Sequence, residues 1–416
     1  MDAVPVSITQ DDRLDRLAEV AVQVGLGLRP GQEVILTAPL GALPLARRVT
    51  EQAYKAGASL VTTLYSDDEA TLARFAHAPD AAFDHAPAWL FQGMAEAYGA
   101  GAARMAIGGE NPALLAGQDP ERVARSNRAR SVAYRPALEK ITSFATNWSI
   151  VCAATPAWAA MMFPDTTEAD AMARLWDAIL HASRVTGPDP VAAWAAHNAA
   201  LHARTRFLNA KSYAALHFRG PGTDLRVGLA DRHIWMGGSE EAKNGIVCNP
   251  NIPSEEVFTT PHAAQVDGIV RSTKPLSYAG TLIRDIAVRF EGGRIVDATA
   301  SSGQDVLRKV LATDSGACRL GEVALVPNSS PIAASGLLYY NTLFDENAAS
   351  HIAIGQAYRT CLEGGTTAND AELERRGANT SLIHIDWMIG SGEIDVDGVL
   401  PDGTTEPVMR KGEWAD

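Results

Sequence analysis

The chain is poor in cysteine. Its 416 residues include four, Cys152, Cys248, Cys318 and Cys361, far apart and without a CxxC pair. Neither a disulfide framework nor a thiolate zinc knuckle is expected, and the spacing reads as reduced cytosolic thiols. Positive charge is also scarce: 36 Lys and Arg face 49 Asp and Glu, for a net charge of −13. No basic run stands out, which argues against nucleic-acid binding and removes any attraction to an anionic membrane surface. There is no run of eighteen apolar residues, so no transmembrane helix is expected. The opening MDAVPVSITQDDRLDRL has no basic n-region and no apolar h-region, and does not read as a signal peptide. HExxH, GxSxG and Walker A motifs are missing. Gly25-Leu-Gly and Gly108-Gly109 do not complete a GxGxxG, so nothing supports a dinucleotide site. The chain has no tandem repeat and no low-complexity segment.

What is present is an ordinary globular composition, 46% hydrophobic and 20% charged, at a length that favours two domains. Asp11 to Leu28 carries Leu14, Leu17, Val20, Ala21 and Val24 on one helical face. Strands are expected at 33–37, 59–65, 104–107 and 148–153. Helical patterns lie between them at 42–56, from 68, at 88–98 and at 121–140. Alternation of this kind predicts an α/β unit with a mainly parallel sheet. Two helical segments follow, near 168–185 and 190–210. From Tyr213 the period changes to short strands, including Leu216–Phe218, Leu225–Leu229 and His233–Met236. A hairpin is expected around Gly292-Gly293. One helix at 305–313 interrupts, and strands resume at Glu322. The expected layout is an α/β N-terminal domain over 1–187, followed by a β-rich α+β domain over 188–416.

Out-of-place polar residues gather in the second half. Ser381–Gly390 reads as a buried strand interrupted by His384 and Asp386, which share a face because they are two residues apart. Burying both without partners is costly; a divalent metal compensates for this, and so does a simple His–Asp hydrogen bond. Three other stretches offer similar groups. Asn251–His262 contains the adjacent carboxylates Glu255 and Glu256. Gly321–Pro327 opens with Glu322. Leu343–Tyr358 contains His351 and Tyr358, which would share a face if the stretch were helical. Taken singly, each has a plain reading as a cap, a strand-end charge or a satisfied histidine. His181, His197 and His202 read as ordinary helix residues, since the spacing of His197 and His202 is not that of a helical metal pair.

Together, Glu256, Glu322, His351, His384 and Asp386 supply three carboxylates and two imidazoles. That exceeds the usual ligand count of one catalytic zinc and suits two divalent ions with one bridging carboxylate. Nitrogen and oxygen donors without thiolate are compatible with Zn, Co or Mn. The residual positive charge would favour an activated hydroxide and polarise a carbonyl oxygen.

These four stretches resemble the aminopeptidase T / aminopeptidase S family, metallopeptidases best known from thermophilic bacteria. The resemblance extends to Leu64–Asp68, Ile141–Ser149, Leu216–Leu229 and Asp345–His351, and so runs the length of the chain. It implies an α/β N-terminal domain, a C-terminal domain with a dinuclear metal site, and a homodimer acting with zinc, cobalt or magnesium on peptides with a free N-terminus. It also implies metal ligands at Glu256, Glu322, His351, His384 and Asp386 and a catalytic tyrosine at Tyr358. Trp387 stands where the family has phenylalanine, and Ser254 where it has threonine. The expected activity is that of a cytoplasmic aminopeptidase using a dinuclear-metal-activated hydroxide. Rival readings are a phosphoesterase or amidohydrolase with the same ligands, and a non-catalytic protein with structural metal. The first lacks a Lys/Arg cluster near the ligands to hold phosphate. The second lacks cysteines in a metal motif.

Overall fold

Four parallel strands make the first sheet, in the order Leu60–Ser66, Glu33–Pro39, Ala103–Gly108, Trp148–Cys152. They belong to a computed structural model that describes residues 10–278 and 281–415. The opening residues 1–9, part of the stretch that does not read as a signal peptide, lie outside those described. Val34, Leu36, Ala103, Met105 and Val151 are buried, as expected for a parallel sheet covered by crossover helices. The helix Leu43–Lys55 buries Leu45, Ala46, Val49 and Ala53 along one stripe. The first helix departs from the expected form: Gln10–Val20 is α-helical, and Ala21–Leu26 widens into a π-helical turn.

The described chain divides into two compact units. The first runs to Ala196 and takes back Ser239–Pro253; the second comprises His197–Gly238 and Ser254–Asp416. The first boundary falls within the helix Pro190–Lys211.

The second unit is built from antiparallel sheets. Eight strands form the larger, in the order 294–299, 287–291, 261–271, 223–229, 215–220, 395–399, 405–410, 413–414. The expected hairpin turns at Gly292 and Gly293, whose φ values of 53° and 77° suit glycine. The smaller sheet orders 384–388, 351–355, 320–325, 257–259, also antiparallel. One apolar core contains residues of both, among them Leu225, Val266, Val323, Ile352 and Ile385.

One local expectation is corrected and one open reading is decided. His233–Met236 is not a strand; only isolated bridges form at His233 and Met236. Leu343–Tyr358 is not one helix. A short helix at Thr342–Asp345 and a 3-10 turn at Glu346–Ala348 give way to the strand His351–Gly355. The β-branched and apolar run after His351 finds strand partners on both sides, which outweighs local helical spacing.

Candidate metal centre

The smaller sheet of the second unit has two unlike faces because side chains alternate along each strand. Val257, Val323, Ile352, Ile354, Ile385 and Trp387 belong to the core. Trp387 pairs with Ile352 and is buried away from the polar face, so its larger ring is a packing matter. The opposite face carries Glu322, His351, His384 and Asp386. Register places Glu322 across from Ala353, and Ala353 across from Asp386. His351 lies between Ala324 and Met388, and His384 opposes Gly355. Small residues thus alternate with the ionisable ones and leave space above the sheet. Gly355 has φ of 106°, and a Cβ there would lie 2.0 Å from the Ile383 carbonyl oxygen, so only glycine fits opposite His384.

Glu256 joins from the segment just before Val257–Thr259. Its Oε2 lies 3.1 Å from His351 Nε2, and Glu322 Oε1 lies 3.8 Å from the same nitrogen. On the other side, His384 Nε2 is 3.2 Å from Glu322 Oε2 and 3.4 Å from Asp386 Oδ1. Two triads result, Glu256–Glu322–His351 and Glu322–His384–Asp386, with Glu322 common to both. The structure therefore brings together all five residues singled out as ligands.

The hydrogen bonds at the back of the site are consistent with a cation in front. His351 Nδ1 donates to the Ala349 carbonyl at 3.1 Å, and His384 Nδ1 to the Gln356 carbonyl at 2.7 Å. Each Nε2 is thereby turned toward carboxylates, the arrangement that orients imidazoles for metal. Glu256 Oε2 is buried and has no hydrogen-bond partner, despite its closeness to His351. A buried carboxylate oxygen in that condition is costly unless a cation meets it. The donor set and this orphaned oxygen both fit a divalent ion.

The electrostatics agree. Burial alone would lower both imidazoles, but Glu256 and Glu322 raise His351, and Asp386 and Glu322 raise His384, well above the ordinary value. Burial raises Glu256 against the opposing pull of His351. Asp386 is held low, because His384 and His351 outweigh its burial. The cluster favours positive charge between its members.

Tyr358 follows the strand His351–Gly355 in a loop and is 38% exposed. Its ring centroid lies 4.8 Å from that of His384 and 5.9 Å from that of Phe258. Partial burial, and then the Glu322, Asp386, Glu346 and Glu256 carboxylates, raise its phenol well above the usual value.

Two neighbours escaped the sequence reading. His197, taken as an ordinary helix residue, has Nε2 2.7 Å from the Ser254 carbonyl and 3.8 Å from Glu255 Oε2. Glu255 is buried, and its backbone N–H donates to Asn347 Oδ1 at 2.6 Å. It therefore has different company from Glu256. Glu346, five residues before His351, is the second. Its carboxyl is raised well above the ordinary range by burial and then by Glu256 and Asp386. The concentration of polar residues in Asp345-Glu-Asn, just ahead of an apolar strand, was the available signal.

A family model described as thermophilic metalloprotease (M29) matches residues 10–414. Aminopeptidase T of Thermus aquaticus is 54% identical over 403 residues, which cover 97% of this chain and 98% of that relative. Aminopeptidase T of Thermus thermophilus is also 54% identical, over 96% of this chain and 98% of its own length. The solved structure of wild-type AmpT from Thermus thermophilus matches with a TM-score of 0.93 at 53% identity, covering 98% of this chain and 100% of that one.

Proposed function

The chain belongs to the M29 family of thermophilic metalloproteases, and on that footing we propose how its own residues work as a metal-dependent aminopeptidase. The centre takes two divalent ions. Glu256, Glu322 and His351 would hold one, and Glu322, His384 and Asp386 would hold the other. The observation that carries this reading is the presence of Glu322 in both triads, with one oxygen toward each imidazole. Bound divalent ions supply Lewis acidity and bring the pKa of a water toward neutrality.

The protein's own groups prepare that chemistry. The Ala349 and Gln356 carbonyls fix both imidazole rings. The core face of the sheet keeps the ligand strands in register. Tyr358, protonated at neutral pH, stands beside His384 and donates a hydrogen bond to the oxygen that gains charge as the first peptide carbonyl is attacked. Substrates are peptides with a free N-terminus. Nitrogen and oxygen donors suit Zn, Co or Mn. The catalytic apparatus lies in the β-rich unit, and the resemblance extends the proposal to a cytoplasmic homodimer. Among the described residues no helix is long and apolar enough to cross a membrane.

Hydrolysis of an aminoacyl anilide tests the reading. Chelation should abolish it, and Zn, Co or Mn should restore it. Full turnover in protein shown by elemental analysis to be metal-free would overturn it.

A further inference from the structure

An aminopeptidase must recognise a free α-amino group as well as a peptide bond. At neutral pH that group is mostly an ammonium, and a carboxylate outside the ligand set is the natural partner for it. Two extra carboxylates border the triads. Glu255 has company of its own: its Oε2 faces His197 at 3.8 Å, and its main chain is tied to Asn347. Glu346 differs. It belongs to neither triad, and among the described residues its side chain makes no hydrogen bond or ion pair.

The backbone that carries Glu346 is nevertheless firmly held. On one side, Asp345 accepts from the N–H groups of Tyr339 at 2.7 Å and Asn341 at 3.0 Å. On the other, the Asn347 amide donates to the Leu343 carbonyl at 2.9 Å, and its carbonyl accepts from the Ser330 hydroxyl at 3.0 Å. Asn347 Oδ1 meanwhile accepts from Glu255 N–H, which ties the Glu346 turn to the segment bearing Glu256. A carboxylate without a partner has thus been placed on an ordered turn beside three others. Such a group is unfavourable by itself and becomes favourable when a cation arrives.

We propose that Glu346 receives the substrate's α-ammonium and so restricts the enzyme to free N-termini. The charge of the ligand carboxylates is taken up by the divalent ions; Glu346 remains available for the organic cation. The Glu346–Ala348 turn packs on the strand His384–Met388, which bears two of the ligands, and is tied through Asn347 to the segment bearing Glu256; an amine held there lies on the side of the ligand cluster. This inference rests on the aminopeptidase reading above.

A pair of competitive inhibitors separates the two claims. L-Leucine hydroxamate carries the amine; 4-methylpentanohydroxamate has the same skeleton without it. In the wild-type holoenzyme the first should bind about 10- to 100-fold more tightly, the range for a charge-assisted hydrogen bond. In E346Q that preference should collapse toward unity, with metal content and affinity for the des-amino compound unchanged. E346D, which keeps the charge, should retain more of the preference than E346Q. Survival of the full preference in E346Q would overturn the assignment. Loss of metal from E346Q would overturn it as well, by making Glu346 a ligand. A wild-type enzyme that binds both inhibitors equally would fail the aminopeptidase reading itself.

Discussion

Glu322 and Asp386 occupy one cross-strand row with only Ala353 between them, since Ala353 pairs with Glu322 on one side and with Asp386 on the other. Neighbouring strands are about 4.8 Å apart, so the two carboxylate-bearing backbones are about 10 Å apart. Side chains of this length converge above a methyl group and leave a gap suited to ions. A larger residue at 353 would fill that gap without touching the identity of any ligand.

Ala353→Leu should therefore reduce metal content sharply. Ala353 is fully buried, and overpacking there should also cost about 1–3 kcal/mol of stability. Ala353→Gly should keep its metal. Elemental analysis with denaturant melts checks both variants; full metal occupancy in Ala353→Leu would show that the row is not the floor of the site.

The shared position of Glu322 predicts an unequal metal stoichiometry among ligand variants. Glu322→Gln should lose both ions, whereas Glu256→Gln and Asp386→Asn should each weaken one more than the other. Glu255→Gln should stay loaded, because Glu255 faces His197 instead. Metal-to-protein ratios after gel filtration read this directly. An empty Glu255→Gln with a filled Glu256→Gln would reverse the assignment.

Tyr358→Phe keeps the ring against His384 and Phe258 and removes one hydroxyl. Loss of a single oxyanion donor lowers kcat about 10²–10³-fold, and metal content should not change. Wild-type kcat in this variant would remove Tyr358 from the mechanism.

Asp314 anchors the approach to the His384 strand. Its carboxylate accepts from the N–H groups of Gly316, Ala317 and Leu382 and from the Ser381 hydroxyl. Burial opposes the charge, but these donors outweigh it and hold the carboxyl below its ordinary value. The folded state thus binds fewer protons than the unfolded chain. The stabilisation is present above the unfolded value near pH 4 and is lost as pH falls through the lower folded value. Asp314→Ala should cost about 2 kcal/mol at pH 7, and its gap from wild type should narrow toward pH 3. Urea melts at several pH values test this; a gap independent of pH would contradict it.

Much of the site was legible because strand chemistry is local. His384 and Asp386 interrupt an apolar run at a spacing of two, and that spacing alone puts them on one face. Glu322 likewise interrupts an apolar run, the buried strand Leu320–Leu325. The absence of thiolate motifs and of a basic cluster narrowed the ligand chemistry before any fold was known. The change from alternating strands and helices to short strands with glycine turns marked the two kinds of sheet.

Pairing was not legible. Nothing in the spacing between His351 and Tyr358 shows that a strand begins at His351, because strand partners over 25 residues away in sequence decide it. The return of Ser239–Pro253 to the first unit also depends on distant partners, such as the bridge between Ile150 and Asn251. His197 carried no local mark, since a histidine on a helix is common everywhere, and Glu346 had only the weak one of a polar triplet ahead of an apolar strand. The sequence determined which residue types could do the chemistry and that His384 and Asp386 occupy one face of their strand, since alternation is a property of the strand itself. Only the tertiary structure decided that Glu322 is shared, that Ala353 leaves the gap and that Glu346 has no partner, because register and packing are set by contacts between segments remote in the chain.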